Sequence, residues 1–493
     1  MNAVYTDVLI IGAGLSGIGA AVHLSKNCPN KSFAILERRA NMGGTWDLFK
    51  YPGIRSDSDM HTLGYDFKPW TDAKAIADGP AILKYIKETA AEYNLTDHIA
   101  YEHVVTRADW NSDTARWTVT VDTPSGPVTR QCHVLYMCSG YYRYDQGYRP
   151  EFAGEDDFNG QIIHPQHWPE ALDYTGKKIV IIGSGATAVT LMPNLAKDAA
   201  HVTMLQRSPT YMGVMPSTDR IANGLRAVLP SGLAYKITRW KNLTMGRWVY
   251  NWMRNKPEKA KAFLFKKIKK ALGKDYPLSP NFTPDYNPWD QRLCLVPDND
   301  MFDAMVAGKA DVVTDNIERF TQSGVALKSG AHLDADIIVT ATGLNLQILG
   351  GADFYVDGAP VDFGQTYSYE GMMFSDVPNM ASVFGYVNAS WTLRADLISR
   401  YLCRVINHMD ATQTQVFTPV APDGMEMHPW MDFFKAGYLQ RSLHALPKQG
   451  DREPWLNLQD YTRDKKVLPT KPIDDGAMVF SNPKVKAEVE AAE

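Results

Sequence analysis

Four short apolar runs ending in glycine stand out along the chain, at residues 6–12, 133–140, 177–183 and 336–343. They are rich in Val, Ile and Leu and too short for helices, the pattern of strands buried in a parallel sheet. Residues 18–24 form an apolar helix directly after the first run. Residues 83–93 have helical periodicity, and residues 395–409 read as a second apolar helix. Residues 32–36 and 201–205 supply the next strand of two strand–turn–helix units. Residues 99–105 and 117–121 alternate as antiparallel strands do. Residues 257–273 differ from the rest: Phe265, Ile268 and Leu272 fall on one helical face amid lysines. From residue 475 the pattern fades, which predicts a frayed tail.

Length divides this succession among several cores, because 493 residues exceed one ordinary domain and call for two or three. Hydrophobic residues at 45% and charged residues at 22% describe a soluble globular chain, and twelve tryptophans suit apolar pockets. A net charge of −4 makes no case for nucleic acid. The cysteines at 28, 132, 138, 294 and 403 are scattered, with neither a CxxC nor a metal-ligand spacing. That suits a reducing, cytoplasmic setting and argues against a metal site or a disulfide reductase. The apolar stretch 8–11 is too short for a secretory leader, and no run is long enough to span a bilayer.

The chemistry sits at the strand ends. Gly12-Ala-Gly14-Leu15-Ser16-Gly17 follows the first run and opens the first helix. The first glycine makes the tight turn, the second admits a pyrophosphate to the helix N-terminus, and the third packs helix on strand. Glu37, at the end of the next strand, offers a carboxylate for two ribose hydroxyls. Gly183-Ser184-Gly185-Ala186-Thr187-Ala188 repeats the turn, but its next strand ends in Gln206-Arg207-Ser208. An arginine and a hydroxyl bind a 2′-phosphate that a carboxylate would repel, so the second site is read as NADPH rather than NADH.

Two longer patterns lie near these turns. One is G-G-x-W-x-x-x-x-Y-P-G-x-x-x-D from Gly43 to Asp57, and the other is F-x-G-x-x-x-H-x-x-x-W-P through Phe158, Gly160, His164, Trp168 and Pro169. In the second, Gly160 gives backbone freedom, the prolines stiffen, and Trp168 anchors a joint between the two nucleotide sites. Together they resemble the fingerprints of type I Baeyer–Villiger monooxygenases, class B flavoprotein monooxygenases that insert oxygen beside a ketone carbonyl. The run at residues 47–59 is similar to that of their bacterial ethionamide-activating branch. The resemblance covers nearly the full length.

It implies an α/β fold of two Rossmann-like dinucleotide-binding domains, for FAD and NADP, with a helical insertion in the NADP domain. On that plan, residues 1–145 and 343–493 form the FAD domain with a C-terminal tail. Residues 146–170 form a linker carrying the fingerprint, 171–215 and 291–342 the NADP domain, and 216–290 a basic helical insertion. FAD would be held by the first turn and Glu37, by Gly44, Thr45, Trp46, Asp47, Leu48, Arg55, Ser56 and Asp57, and by the backbone of Val105. Arg292 matches the catalytic arginine of the family, and Asp57 the acid that tunes its charge. Family members often carry Lys before this Arg where this chain has Gln291. The implied chemistry is NADPH- and O2-dependent conversion of aliphatic and aryl-alkyl ketones to esters or lactones through a C4a-peroxyflavin, with S-oxygenation of sulfides or thioamides as a second activity. A flavin monooxygenase acting mainly on sulfur or nitrogen, an NADPH:acceptor reductase and a non-catalytic FAD-binding protein remain alternatives. Trp391 is expected to pack in the core.

Residues 219–275 hold fifteen Lys and Arg against three Asp and Glu, a net +12, so the remainder carries −16. The face of Phe265, Ile268 and Leu272 either seats an inserted helix on its domain or docks on anionic lipid as a peripheral membrane contact.

Overall fold

The computed structural model describes residues 4–291, 293–431 and 437–483. β1 (Val4–Ile11), α1 (Leu15–Asn27) and β2 (Phe33–Leu36) form the first parallel unit, with Val8 opposite Phe33 and Ile11 opposite Leu36. Val8, Leu9, Ile10 and Ile11 are all buried, as the unbroken apolar run requires. α2 (Gly79–Glu92) starts where the Asp78 carboxylate accepts from the Ala81 N–H, with proline in the first turn. The strand expected over 99–105 is two strands. β3 (Ile99–Ala100) runs parallel to β2, while β4 (Val104–Asn111) runs antiparallel to β5 (Arg116–Thr123). Glu102, at φ 57°, breaks the run between them, which alternation of side chains does not reveal. β6 (Gly126–Met137) pairs antiparallel with β5 and parallel with β1, so the first sheet is mixed.

The second sheet takes β7 (Gln161–Ile163), β8 (Lys178–Ile182) and, after α3 (Ala186–Leu195), β9 (His201–Gln206). The chain then runs through β10 (Met212–Met215) to the insertion helices α4 (Arg220–Val228), α5 (Ser231–Asn255) and α6 (Pro257–Leu272). It returns by β11 (Cys294–Pro297), which pairs with β10, then α7 (Asp300–Val306), β12 (Ala310–Thr314) and β13 (Ile337–Thr340). The order is β12-β9-β8-β13-β7, every neighbour parallel. The fingerprint stretch thus supplies the edge strand of this sheet.

Past β13 the chain rejoins the first sheet: Asp353–Val356 pairs with β4, and Met380–Ser382 with β6. α8 (Trp391–Thr412) then packs on α1. α1 is buried from Leu15 to Leu24 because it lies between sheet and α8, which explains an apolar run without a polar face. The tail is not frayed where described. Met478–Ser481 pairs antiparallel with Val416–Pro419, and Asp475 takes a hydrogen bond from Tyr369 at 2.9 Å and an ion pair from Lys471 at 2.7 Å.

In the insertion, Ile268 is buried in the core of the second domain with Phe265 and Leu272 packed around it. That face seats the helix, so the lipid reading does not hold for it. α5 reaches the other way. Arg239 donates to the carbonyls of His61 and Gly64 at 2.8 Å each, and Tyr235 Oη donates to the Tyr65 carbonyl at 2.8 Å. A helix inserted in the second domain's sequence is therefore bonded to the first. Among the described residues no helix is long and apolar enough to cross a membrane.

Candidate functional site: one cleft beneath two glycine turns

Gly12 sits at φ +106°, and a Cβ there would lie 2.7 Å from the Cys138 carbonyl oxygen. A Cβ on Gly17 would fall 1.8 Å from the Gly12 oxygen, so this glycine is fixed by close packing rather than by conformation. Gly14 and Gly44 face each other, with a Cβ on Gly44 only 3.2 Å from the Gly14 Cα. Bare backbone at both keeps open a cleft of about 370 Å³ beside the N-terminus of α1, where free N–H groups favour an anion. Glu37 is 3% exposed and accepts from the Ala13 N–H at 2.8 Å and the Arg39 N–H at 2.9 Å. Burial pushes its carboxyl up from the usual range, and those two donors pull it back.

The cleft brings together Gly12, Gly14, Leu15, Ser16 and Glu37 with Gly44, Thr45 and Trp46, and adds Arg55, Ser56, Asp57 and Val105. Asp47 and Leu48 lie behind the wall: Asp47 is paired with Arg39 at 2.7 Å, and Leu48 is buried in the second core. Arg55 pairs with Asp300 of α7, not with Asp57, and its Nη2 is buried without a hydrogen-bond partner among the described residues. Arg292 lies outside the described residues. β11, two residues further on, puts Leu295 in the cleft wall.

The second turn repeats the first. Gly183 is at φ +136°, and a Cβ there would meet the Ala341 oxygen at 2.3 Å, while a Cβ on Gly185 would meet nothing within 4 Å. Gly185 therefore leaves open space at the start of α3. Ala188, in the third position, is fully buried against the sheet. Ala186, Thr187 and Thr190 of α3 line the same cleft as the first turn. Tyr51, also in its wall, is buried, and burial pushes its phenol up to about 12. Ser184 Oγ lies 2.9 Å from Thr210 Oγ1 and is not in the cleft wall. At the end of β9 the Gln206 side chain turns inward, donating to the Asn281 carbonyl at 2.7 Å and to Thr314 Oγ1 at 2.8 Å. Arg207 and Ser208 are exposed, and the Arg207 guanidinium has no ion pair among the described residues.

The fingerprint residues lie outside the cleft and hold its crossovers. His164 Nδ1 accepts from the Gln166 N–H at 3.2 Å, leaving Nε2 to donate to the Gly343 carbonyl at 3.2 Å. Burial pushes its pKa down, in keeping with that neutral imidazole. Gln166 Nε2 donates to the carbonyls of Arg143 and Tyr144 at 2.9 and 2.8 Å, so together with the His164 bond both segments crossing between the sheets are tied to one turn. Trp168 packs on the second core, and Phe158 is buried beneath β8 and β13 in a smaller cluster. Gly160 does not adopt a positive φ; a Cβ there would strike the Asp336 carbonyl at 2.2 Å. Close approach, not backbone freedom, requires it. Gly160→Ala is expected to cost about 1–3 kcal/mol of unfolding free energy by overpacking, read from the urea midpoint.

Sequence reasoning missed the aromatic wall. Tyr141 stacks on Trp391 at 5.1 Å, Phe384 lies 5.5 Å from Trp391, and Trp391 Nε1 donates to Ser16 Oγ at 2.8 Å. Tyr142 Oη meets Thr45 Oγ1 at 2.5 Å, and Tyr386 Oη donates to Asp464 at 2.6 Å. All five rings border the cavity, and Trp391 is half buried, packed against the first core with one side turned to the cleft. Their one sequence signal was the density of aromatic residues.

The family described as flavin-binding monooxygenase-like matches residues 5–350. The chain is 52% identical to the FAD-containing monooxygenase EthA of Mycolicibacterium smegmatis over 99% of both chains, and 53% identical to EthA of Mycobacterium tuberculosis over 97% of this chain and 98% of that one. It is 48% identical to the probable FAD-binding monooxygenase AlmA of Acinetobacter baylyi over 97% of this chain and 96% of that one. Among solved structures, an oxidized steroid monooxygenase bound to NADP superposes with a TM-score of 0.78 at 20% identity, covering 97% of this chain and all of that one. The cyclohexanone monooxygenase of Rhodococcus sp. Phi1 bound to NADP+ follows at 0.69 and 20%, covering 85% and 87%. With paired glycine turns, parallel strands ending at one cleft and relatives matched end to end, this chain belongs to the flavin-binding monooxygenase-like family.

Proposed function

We propose that this chain is an FAD-containing, NADPH- and O2-dependent Baeyer–Villiger monooxygenase. It converts hydrophobic aliphatic and aryl-alkyl ketones to esters or lactones, with S-oxygenation of sulfides or thioamides as a secondary activity. One observation carries the reading: the first residues of α1 and of α3 line a single cavity, so two dinucleotides would bring their ring ends to one wall. The FAD-containing relatives support the flavin, and the fold shared with a cyclohexanone monooxygenase supports ketone oxidation.

The residues present fit such a ligand: bare backbone at Gly14, Gly44 and Gly185, the buried Glu37 carboxylate, and an Arg55 donor without a partner among the described residues. On this reading Gly12 to Gly17 and Glu37 hold the adenosine and pyrophosphate of FAD, and Val105 borders its adenine. Residues 44–48 and 55–57 take the ring side, Asp47 and Leu48 by backing the wall. Gly183 to Ala188 hold the NADPH pyrophosphate, and Arg207 with Ser208 its 2′-phosphate. Bound FAD, reduced by NADPH, supplies the activation of dioxygen. Tyr141, Phe384, Tyr386 and Trp391 keep water from the reacting centre. Arg292, whose guanidinium does not deprotonate, stabilises negative charge on the substrate oxygen as the ketone carbon becomes tetrahedral, and Asp57 balances that cation.

The test is a product screen with linear, cyclic and aryl ketones beside a thioether, under NADPH and air. Ester or lactone formed in step with NADPH use is the expected result. NADPH consumed with no oxygenated organic product would make the chain a reductase, and sulfoxide alone would make it a sulfur oxygenase. For the second site, Arg207→Ala is expected to raise KM for NADPH about 10–100-fold by loss of a charge-assisted contact, leaving KM for NADH nearly unchanged. Equal losses with both nucleotides would reject the phosphate contact.

A further inference from the structure

The basic insertion carries an apolar surface that the cleft does not use. On α5, Leu233, Ile237, Trp240 and Trp248 fall within an arc of about 80° at 100° per residue. Trp240 is 66% exposed and Trp248 65%, whereas Tyr235, Thr238 and Met253, on the opposite side, are buried. α4, which packs on α5, adds Ile221 and Val228, the latter 77% exposed. The surface continues onto α6 by rings: Trp248 stacks on Trp252 at 6.4 Å, and Trp252 meets the half-exposed Phe263 edge-on at 5.8 Å. A patch of this kind, with tryptophans outward, is rare on a solvated surface and marks a contact.

Charge states what the contact is. The helices sit in a stretch of net +12, on a chain whose remainder carries −16. On α6, Lys259, Lys266, Lys269 and Lys270 are exposed and make no ion pair among the described residues. Amphipathic Trp rings beside unpaired lysines match the boundary between acyl chains and anionic headgroups. A second copy of this chain would bring +12 against +12, which disfavours self-association through the same face.

We propose that the exposed face of α4 and α5, with the lysines of α6, docks this protein on an anionic lipid bilayer, its tryptophans entering the headgroup layer. The docking element is thus not the amphipathic face of α6 that the sequence pattern singles out, because that face is buried in the second domain. No residue of α4, α5 or α6 lines the cleft, so docking and chemistry are separable.

Flotation of the full-length holoenzyme with vesicles of phosphatidylglycerol and phosphatidylcholine in equal parts, against phosphatidylcholine alone, tests this. Binding to the anionic vesicles, weakened by salt and accompanied by a blue shift of tryptophan emission, is expected. The double variant Trp240→Ser/Trp248→Ser should lose at least about tenfold in vesicle affinity, from the apolar area withdrawn. The triple variant Lys266→Glu/Lys269→Glu/Lys270→Glu should cease to discriminate the two lipids. Both should retain parental turnover of a water-soluble ketone or, failing turnover, parental flavin content. Parental binding by both variants, or no binding to anionic vesicles by the parent, overturns the proposal. So does a dimer of the parent that the tryptophan variant dissolves without any vesicle binding.

Discussion

With Arg292 replaced by alanine, the proposed ester formation is expected to fall by about 10²–10³-fold while NADPH is still oxidised, the range seen when one donor to a developing oxyanion is removed. The substitution leaves both glycine turns intact, so both nucleotides should still bind and electrons should still reach the flavin. On the proposed function, what it removes is the permanently charged group that would meet the negative charge gained by the ketone oxygen. Electrons would then leave as hydrogen peroxide. The measurement is NADPH consumption, peroxide and ester from the same reaction. Ester at the parental rate would end the assignment of Arg292. Loss of NADPH oxidation as well would show that the residue serves nucleotide binding instead. Arg292→Lys restores charge but not the planar fork, and is expected to recover only part of the loss.

The second large effect concerns stability. Arg394, on α8, pairs with Asp464 with both side chains at most 4% exposed, and it donates to the Glu370 carbonyl. Asp464 also accepts from Tyr386 at 2.6 Å and from Arg463 at 3.2 Å. Removing one partner of such a pair leaves a charge stranded in a dry interior, so Arg394→Ala is expected to cost about 3–5 kcal/mol in urea unfolding. Replacing both members, as Arg394→Met/Asp464→Leu, should recover most of that. A single-variant cost below about 1 kcal/mol would mean that water or Arg463 compensates. Because Tyr386 borders the cleft, the single variant should also loosen the site, seen as less flavin retained on gel filtration.

Parts of this architecture were legible because they are local. A glycine required by the turn itself, as Gly12 is, or an unbroken run such as 8–11, carries its reason within a few residues. Gly160 was legible as a required glycine but for another cause, since the carbonyl it avoids belongs to Asp336, far along the chain. The aromatic wall was hidden for the same reason: Tyr141, Phe384 and Trp391 meet only after the chain has left the first sheet and come back. The tail misled because its order comes from Lys471, Asp475 and Tyr369 pairing across segments, not from an apolar pattern. Arg55 and Asp57 stand two residues apart in a charged loop, yet the arginine turns to Asp300. Adjacency in sequence says little about which acid a guanidinium will choose.

The bonds from Arg239 and Tyr235 of α5 to the carbonyls around residues 61–65 have a mechanical consequence. They fasten the two domains to one another at α5, apart from the two chain crossovers that the turn at His164 and Gln166 ties together. Any swing of one domain against the other is therefore restrained at both places, by the covalent crossovers and by the grip of a helix. A bilayer holding the outer face of that helix would act directly on the second restraint.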